Sequence, residues 1–528
     1  MLLTGSGDNA RLSLYPAGRV RSNVPMPTPA KTYEALLSEL REISLLTYTS
    51  AVLGWDEQTQ LPRKAAGFRG DQLSLLAKLA HERLVSDRLN ELLSALESSP
   101  FVADGDSDAA VNVRETRRAV DRERKLPSSL VEELARVGPL AQQAWVGARK
   151  ASDFSEFAPW LERILKLKRQ QAECLGPTVH PYDALLDEFE PGDTAADITA
   201  VFESLRGPLV DLVGRIAGSG RKGKGSLLEG DFPRAGQEAL SREAAKAIGF
   251  DFDRGRLDVS AHPFCTHLGP FDTRLTNRYN ERHFAGSFFG VMHEAGHGLY
   301  QQGLPTDHFG TPRGEYVSMG IHESQSRLWE NFVGRRRSFW RFFYPRVQAT
   351  FPCTARISED DWHRAVNHVE PGFIRVEADE ATYNLHILLR FELETALIAG
   401  SLSVQDLPGA WNEKMKAYLG LTPPDDARGV LQDIHWAGGG VGYFPTYTLG
   451  NLYAAQFFEK AQSDLGDLDA SFAQGEFAPL LGWLRRNIHE EGKRFTARKL
   501  VVRVTGKPLS AAPLLAHLVG NAREIYGV

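Results

Sequence analysis

The sequence predicts a mainly α-helical protein with one small β-sheet, and three observations lead to this prediction. The chain has 528 residues, of which 42% are hydrophobic, and this is ample for a large buried core. Only residues 257–278 depart from a helical pattern. They contain His262-Pro263-Phe264, Gly269-Pro270 and a short alternating stretch at 273–277, which indicate turns and strands. Elsewhere apolar residues recur at helical spacing, beginning with Tyr33, Leu36, Leu37, Leu40 and Ile43.

The N-terminus is expected to be a disordered tail over residues 1–28. This stretch is rich in Pro, Gly, Ser and Asn, and it lacks the continuous apolar core that a secretory signal requires. Ordered structure is expected to begin near Thr28 and Pro29, where the helical pattern starts.

Helical patterns follow one another through the first half of the chain. Ser129 with Glu132 has the spacing of a capping box and predicts the start of a helix there. The glycine-rich stretch 218–225 predicts an exposed loop. The further helical patterns cover residues 71–96, 154–175 and 194–217.

We expect residues 29–528 to form one helical domain in two parts. The N-terminal helical part covers about 29–250 and ends before the predicted turns and strands. The second part covers about 251–528, and it contains the candidate metal-binding residues described below.

Composition excludes several functional classes. The net charge of −6 and the pI of about 6.2 argue against a nucleic-acid-binding protein, which usually has a clear basic excess. No apolar run approaches the ~20 residues that a membrane span requires. The cysteines Cys174, Cys265 and Cys353 form no CxxC pair, so no disulfide framework or thiolate metal site is predicted. Sparse cysteine favours a reducing compartment such as the cytoplasm.

The strongest motif is His293-Glu294-Ala295-Gly296-His297. On a helix, positions i and i+4 share a face, so two imidazoles can converge on one zinc ion. Glu294 follows the first histidine and would flank the ion as a general base. Apolar neighbours such as Phe288 and Met292 predict a buried helix. Two buried core histidines are the alternative, but each unpaired polar group would cost about 1–3 kcal/mol, and a metal removes that cost.

The third ligand cannot be chosen from spacing alone. A catalytic zinc usually has three protein ligands and one open position. Residues 320–330 are predicted to form another helix, on which Glu323 and Glu330 lie on nearly the same face. The candidates downstream of the motif are His308, His322, Glu323 and Glu330.

Six short motifs occur in a fixed order, and together they resemble those of the thermostable, or Taq-type, carboxypeptidase family of zinc metallocarboxypeptidases. The resemblance extends from about residue 30 to the C-terminus. The motifs are His262-Pro263-Phe264, Asp272-Thr273-Arg274-Leu275-Thr276, the His293 to His297 segment, His322-Glu323-Ser324-Gln325, Ile374-Arg375-Val376-Glu377-Ala378-Asp379 and Gly429-Val430-Leu431-Gln432-Asp433-Ile434-His435-Trp436.

This resemblance implies His293, His297 and Glu323 as zinc ligands, with cobalt as a substitute, and Glu294 as general base. It also implies a large helical peptidase of zincin type, with a deep active-site cleft and the small sheet near the metal, that acts as a cytosolic homodimer. The N-terminal tail, the loop near residue 222 and the segment 60–64 depart from the family pattern. These departures leave the chemistry unchanged but weaken any transfer of cleft shape or of preferred peptide length.

Substrate-binding residues are predicted from the same motifs and from the glycine-rich segment that follows the last of them. An exopeptidase must bind a terminal carboxylate, which a guanidinium matches bidentately, so Arg375 and Arg274 are the candidates. The alternative is a structural ion pair with Glu377, Asp379 or Asp272. The candidates for stabilising the oxyanion are His435, Tyr443 and Tyr447, and His262 is the candidate for lining the cleft; each of them has a packing role as its alternative.

The favoured function is a carboxypeptidase that releases single amino acids from peptide C-termini. The runner-up is an HExxH oligopeptidase that cuts internal bonds. A non-catalytic helical zinc protein is the third hypothesis, and Glu294 argues against it, because a structural zinc site does not need a base.

Overall fold

The computed structural model describes residues 28–176, 178–221 and 223–528. It is mainly helical with one three-stranded sheet, which confirms the predicted fold class. The tail predicted over 1–28 lies outside the described residues except for Thr28. Among the described residues, no helix is both long enough and apolar enough to cross a membrane.

The N-terminal helices form a small core of their own. The first begins at Pro29, and the Thr28 side chain accepts a hydrogen bond from the Lys31 amide at 3.4 Å. The helical pattern predicted over 71–96 is broken at Ser86, whose hydroxyl caps the next helix by accepting the Leu89 amide. These helices are α1 (Pro29–Thr59), α2 (Ala66–Leu84), α3 (Asp87–Glu97) and α4 (Asp108–Arg124).

Five helices lead from there to the sheet. The capping box predicted at Ser129 is wrong, because the helix begins one residue earlier, at Ser128. The Pro127 carbonyl receives the amides of Leu130 and Val131 there, and no side chain caps the helix. The five helices are α5 (Ser128–Ala151), α6 (Ala158–Leu175), α7 (Pro181–Leu186), α8 (Ala195–Gly218) and α9 (Arg234–Ala247).

The predicted sheet lies directly before the helix that carries His293 and His297. Its strands are β1 (Gly255–Val259), β2 (Cys265–His267) and β3 (Thr273–Asn277), in the order β1-β3-β2. β1 runs parallel to β3 and β2 antiparallel to it.

The C-terminal half is again helical, and most of its helices contribute to the main hydrophobic core. The helix of the HExxH motif is buried, as predicted, with Phe288, Met292 and Leu299 at most 1% exposed. The helices are α10 (Ala285–Gly303), α11 (Met319–Arg327), α12 (Arg337–Thr350), α13 (Glu359–Val366), α14 (Thr382–Ala399), α15 (Leu407–Leu419), α16 (Pro445–Leu465), α17 (Leu468–Ala473), α18 (Ala478–Asn487), α19 (Ala497–Thr505) and α20 (Ala512–Tyr526).

Two glycines let α10 and α16 approach α11 closely. A Cβ at Gly296 of α10 would lie 2.6 Å from the Gln325 carbonyl oxygen. A Cβ at Gly450 of α16 would lie 2.4 Å from Cγ of Glu323. Any larger residue at either position would push α11 away, so these glycines set the depth at which Glu323 lies against α10.

Candidate metal centre

His293, His297 and Glu323 converge where α10 and α11 meet. Glu323 Oε2 lies 3.5 Å from His293 Nε2 and 3.4 Å from His297 Nε2. Among the described residues, these three form the one group of such side chains whose ligand atoms all lie within 4.8 Å of one another.

The donor set fits a divalent ion such as zinc. Two ligand atoms that are each about 2.1 Å from one tetrahedral ion lie about 3.4 Å apart, which matches both separations from Glu323. Glu323 is 6% exposed, and its Oε2 atom faces the Nε2 atoms of both imidazoles. The residues present therefore form a cradle of two nitrogens and one oxygen.

Both histidines are held from behind through their Nδ1 atoms. His293 Nδ1 lies 2.9 Å from Glu330 Oε2. His297 Nδ1 lies 3.1 Å from the His322 carbonyl oxygen and 2.6 Å from His322 Nδ1. Their Nε2 atoms are thereby directed at Glu323.

The other candidates for the third ligand occupy different places. Glu330 and His322 contact the far side of the two imidazoles, while His308 lies 3.5 Å from Asp108 Oδ2. Of these four candidates, Glu323 is the one that faces both Nε2 atoms.

Arg327, the last residue of α11, binds both Glu323 and Glu330. Its Nε lies 2.7 Å from Glu323 Oε1, and its Nη1 lies 3.1 Å from Glu330 Oε2. Directly after it, α11 passes into a π-helical turn, Leu328–Val333, that carries Glu330. Burial would raise the pKa of Glu323, but Arg327 and the two imidazoles outweigh burial and hold it well below its usual value, so the carboxylate stays ionised.

Glu294 is buried beside the two histidines, on the same helix. Burial raises its pKa, and the charges of His293 and His297 partly offset this rise. Cys265 and His262 lie near Glu294, and burial, with a further contribution from Glu294, raises the pKa of the Cys265 thiol and keeps it uncharged. His262 itself is exposed, with Nδ1 2.9 Å from the Pro263 carbonyl oxygen.

Arg274 and Arg375 both form ion pairs. Arg274 binds Asp272 with two 2.9 Å contacts, which is the pairing considered from the sequence, and stacks over the Trp55 ring at 4.3 Å. Arg375 pairs instead with Asp433, at 3.0 Å from Nε and 2.8 Å from Nη2, and neither Glu377 nor Asp379 is its partner.

Asp433 is shared by two arginines. Its second carboxylate oxygen accepts Arg390 Nε at 2.7 Å, and Arg390 is fully buried. Arg375 also donates to the Tyr383 hydroxyl at 3.0 Å, and the Tyr383 ring lies 4.4 Å from the Arg327 guanidinium. A continuous set of contacts therefore joins Glu323 to Asp433.

His435, Tyr443 and Tyr447, the candidates for stabilising the oxyanion, lie close together. His435 Nε2 lies 3.2 Å from the Tyr447 hydroxyl, and the rings of Tyr443 and Tyr447 are 5.3 Å apart. Burial raises the pKa of both tyrosines, with a further contribution from Glu323, so their hydroxyls remain donors. Burial lowers the pKa of His435 to about 4, which keeps the imidazole neutral.

Four residues of this site were not predicted from the sequence: Arg327, Tyr383, Arg390 and Asp433. The contact between Arg327 and Glu323 could have been predicted, because the two residues lie four positions apart on the predicted helix. Asp433 lies inside a quoted motif, but its pairing spans 58 residues to Arg375 and no local pattern indicates it.

Comparison with known proteins identifies a family of metallopeptidases. Residues 35–521 match the model of a family described as carboxypeptidase Taq (M32) metallopeptidase. Thermostable carboxypeptidase 1 of Thermus thermophilus is 49% identical, over 95% of this chain and all of the relative, and carboxypeptidase 1 of Bacillus subtilis is 39% identical, over 94% of this chain and 99% of the relative. The crystal structure of an M32 carboxypeptidase from Deinococcus radiodurans superimposes with a TM-score of 0.91 at 39% identity, covering 94% of this chain and all of that one.

Proposed function

Since the chain belongs to the carboxypeptidase Taq (M32) metallopeptidase family and is a metallocarboxypeptidase, we propose that His293, His297 and Glu323 hold its divalent ion and that Glu294 is its general base. The observation that carries this proposal is the convergence of these three side chains beside a buried carboxylate. The substrate is a peptide with a free C-terminus, from which single amino acids are released.

The residues around the ion have separate tasks. A bound divalent ion polarises the scissile carbonyl and acidifies a water molecule. Glu294 takes the proton of the attacking water and then passes it to the nitrogen of the leaving amino acid. Glu330 and His322 keep the two imidazoles oriented so that their Nε2 atoms stay available.

The segment 433–447 faces the substrate in this proposal. The Tyr443 and Tyr447 hydroxyls and the neutral His435 are donors for the oxyanion that forms at the scissile carbonyl. Arg375, supported by Arg390, recognises the terminal carboxylate. Two guanidinium groups share the single carboxylate of Asp433, which leaves one positive charge in a buried site and favours a carboxylate partner.

Arg274 and His262 have smaller parts in the proposal. Arg274 has the Asp272 carboxylate to itself, whereas Arg375 shares Asp433 with Arg390, so the charge of Arg274 is balanced and Arg274 lines the site without binding the terminal carboxylate. His262 is exposed and lies near Glu294 and His435, so it contributes to the wall beside the scissile bond.

Zinc is the proposed resident ion, with cobalt as a substitute, because two imidazoles and one carboxylate are a donor set typical of catalytic zinc. We also propose a homodimer in the cytoplasm, as the family resemblance implies. Metal analysis of the purified protein and light scattering in solution test the ion and the dimer separately.

Digestion of two matched peptides tests the activity and its direction. One peptide has a free C-terminal carboxylate, and the other has the same sequence with a C-terminal amide. Mass spectrometry over time should show a ladder that loses one residue at a time from the free-acid peptide, and little cleavage of the amide. A chelator should stop the reaction, and added zinc should restore it.

Internal cleavage of both peptides at similar rates would support an oligoendopeptidase instead. Failure to cleave either peptide, with zinc bound, would contradict the proposed activity altogether.

A further inference from the structure

Helix α14 is buried almost along its whole length, yet it presents two charged side chains, Arg390 and Glu394, to the segment that contains His435 and Tyr443. Arg390 donates to Asp433, as described above. Glu394 lies four residues further along the same face of the helix.

The Glu394 carboxylate accepts three hydrogen bonds from neutral donors. Oε1 accepts Trp436 Nε1 at 2.7 Å. Oε2 accepts the Tyr182 hydroxyl at 2.7 Å and the Gly442 amide at 3.2 Å. The residue is 1% exposed, so these donors replace the water that the carboxylate loses on folding.

Two of these donors lie next to candidate catalytic groups in the chain. Trp436 directly follows His435, and Gly442 directly precedes Tyr443. Glu394 thus binds a residue at each end of the glycine-rich loop 437–442, namely Trp436 before the loop and Gly442 at its last position.

We propose that Glu394 is a positioning residue for catalysis, which fixes His435 and Tyr443 opposite the metal ligands by holding Trp436 and Gly442. This inference rests on the proposed function, because the proposed function is what makes His435 and Tyr443 catalytic groups. Glu394 itself is assigned no contact with the substrate. His435 and Tyr443 would otherwise sit on a loop rich in glycine, the residue with the greatest conformational freedom. A displacement of about 1 Å at reacting groups can cost about 100-fold in rate.

Glu394→Gln tests the proposal with little change of shape. The amide of glutamine has one acceptor oxygen, so in either orientation the N–H of Trp436 or of Gly442 faces another N–H donor. We expect kcat to fall by about 10- to 100-fold with KM changed less than about threefold, because the oxyanion donors act in the transition state. Bound metal should be unchanged. Hydrogen exchange should increase in peptides that cover 433–447 and stay unchanged in peptides that cover α10 and α11.

Glu392→Gln is the matched control. Glu392 lies on the same helix but pairs with Arg206 at 2.8 Å and Tyr418 at 2.6 Å, away from the loop. We expect its kcat and its exchange at 433–447 to equal those of the wild type.

Trp436→Phe provides a second variant in case Glu394→Gln does not fold. It removes one donor without creating a clash, so it should give a smaller loss of kcat and faster exchange over the same segment. A folded Glu394→Gln or Trp436→Phe protein with wild-type kcat and unchanged exchange at 433–447 would overturn the proposal. Lack of carboxypeptidase activity in the wild type and in Glu392→Gln would instead count against the proposed function, while the exchange measurement would still test how Glu394 holds the loop.

Discussion

The two sides of the site are positioned in different ways. On the metal side, His293, His297 and Glu323 project from regular helices and are held by charged neighbours, above all Glu330 and Arg327. On the opposite side, the segment 433–447 is irregular before Pro445 and is held from behind by α14. A change to a proposed ligand or to its supporting neighbours on the first side should therefore alter metal binding, whereas a change on the second should alter turnover or substrate binding with the metal retained.

Glu294→Gln should have the largest effect, and it separates the base from the ligands of the metal side. The amide cannot accept the proton of the attacking water, so kcat should fall by about 10²- to 10⁴-fold. The ligands are intact, so the bound metal, measured by atomic absorption, should equal that of the wild type. A variant that hydrolyses peptide at near the wild-type rate would refute the role of Glu294.

Glu323→Ala should reduce metal affinity by about 100-fold or more, because it removes one of the three proposed ligands. Competition with a chromophoric chelator measures this loss directly. Added zinc should partly restore activity. If the metal occupancy is unchanged, Glu330 or His322 becomes the better candidate for the third ligand. The description of the metal side given above would then be wrong.

Glu330→Gln should lower metal affinity or activity by about 10- to 100-fold, a range typical of residues that orient a ligand. The amide no longer offers His293 Nδ1 a charged partner. Glu380→Gln offers a control, since Glu380, whose side chain is 9% exposed, pairs with His517 at 2.7 Å and not with His293 or His297. Equal metal affinity in Glu330→Gln and the wild type would show that the 2.9 Å contact with His293 is structural only.

Arg375→Lys should have the smallest effect of the four, about a tenfold loss of kcat/KM with the metal retained. Lysine keeps the charge but cannot bind a carboxylate bidentately. Arg274→Lys is the control, because Asp272 balances the charge of Arg274 without a second arginine, and its kcat/KM should change less than about threefold. If the two variants lose kcat/KM equally on free-acid peptides, Arg375 is not the residue that reads the terminal carboxylate.

The same contrast explains what could be predicted from the sequence. His293 and His297 could be identified from spacing, because both lie within one turn of a single helix and the geometry is local. Glu323 could not be chosen from spacing, since Glu330 and His322 lie on the same predicted helix, and it rested on the family resemblance. The strand at 273–277 was also predicted correctly from local alternation.

The contacts of the opposite side depend on distant parts of the chain. Arg375 was predicted to pair with neighbours in sequence if it paired at all, but its partner is Asp433. Glu394 shows no pattern except burial, and its donors come from residues 182, 436 and 442. The interruption at Ser86 was missed because one hydroxyl cap, rather than the apolar pattern, decides where that helix begins.

The small N-terminal core has a consequence for how this protein melts. Leu36, Leu40, Leu89, Leu93, Leu96, Val113 and Val120 form a cluster separate from the main one, and α2 contributes no buried residue. A cooperative unfolding unit is stabilised largely by its own hydrophobic core. The two separate cores therefore predict two thermal unfolding transitions rather than one. A single Tm would then describe neither of them, and calorimetric enthalpy should exceed the van't Hoff value.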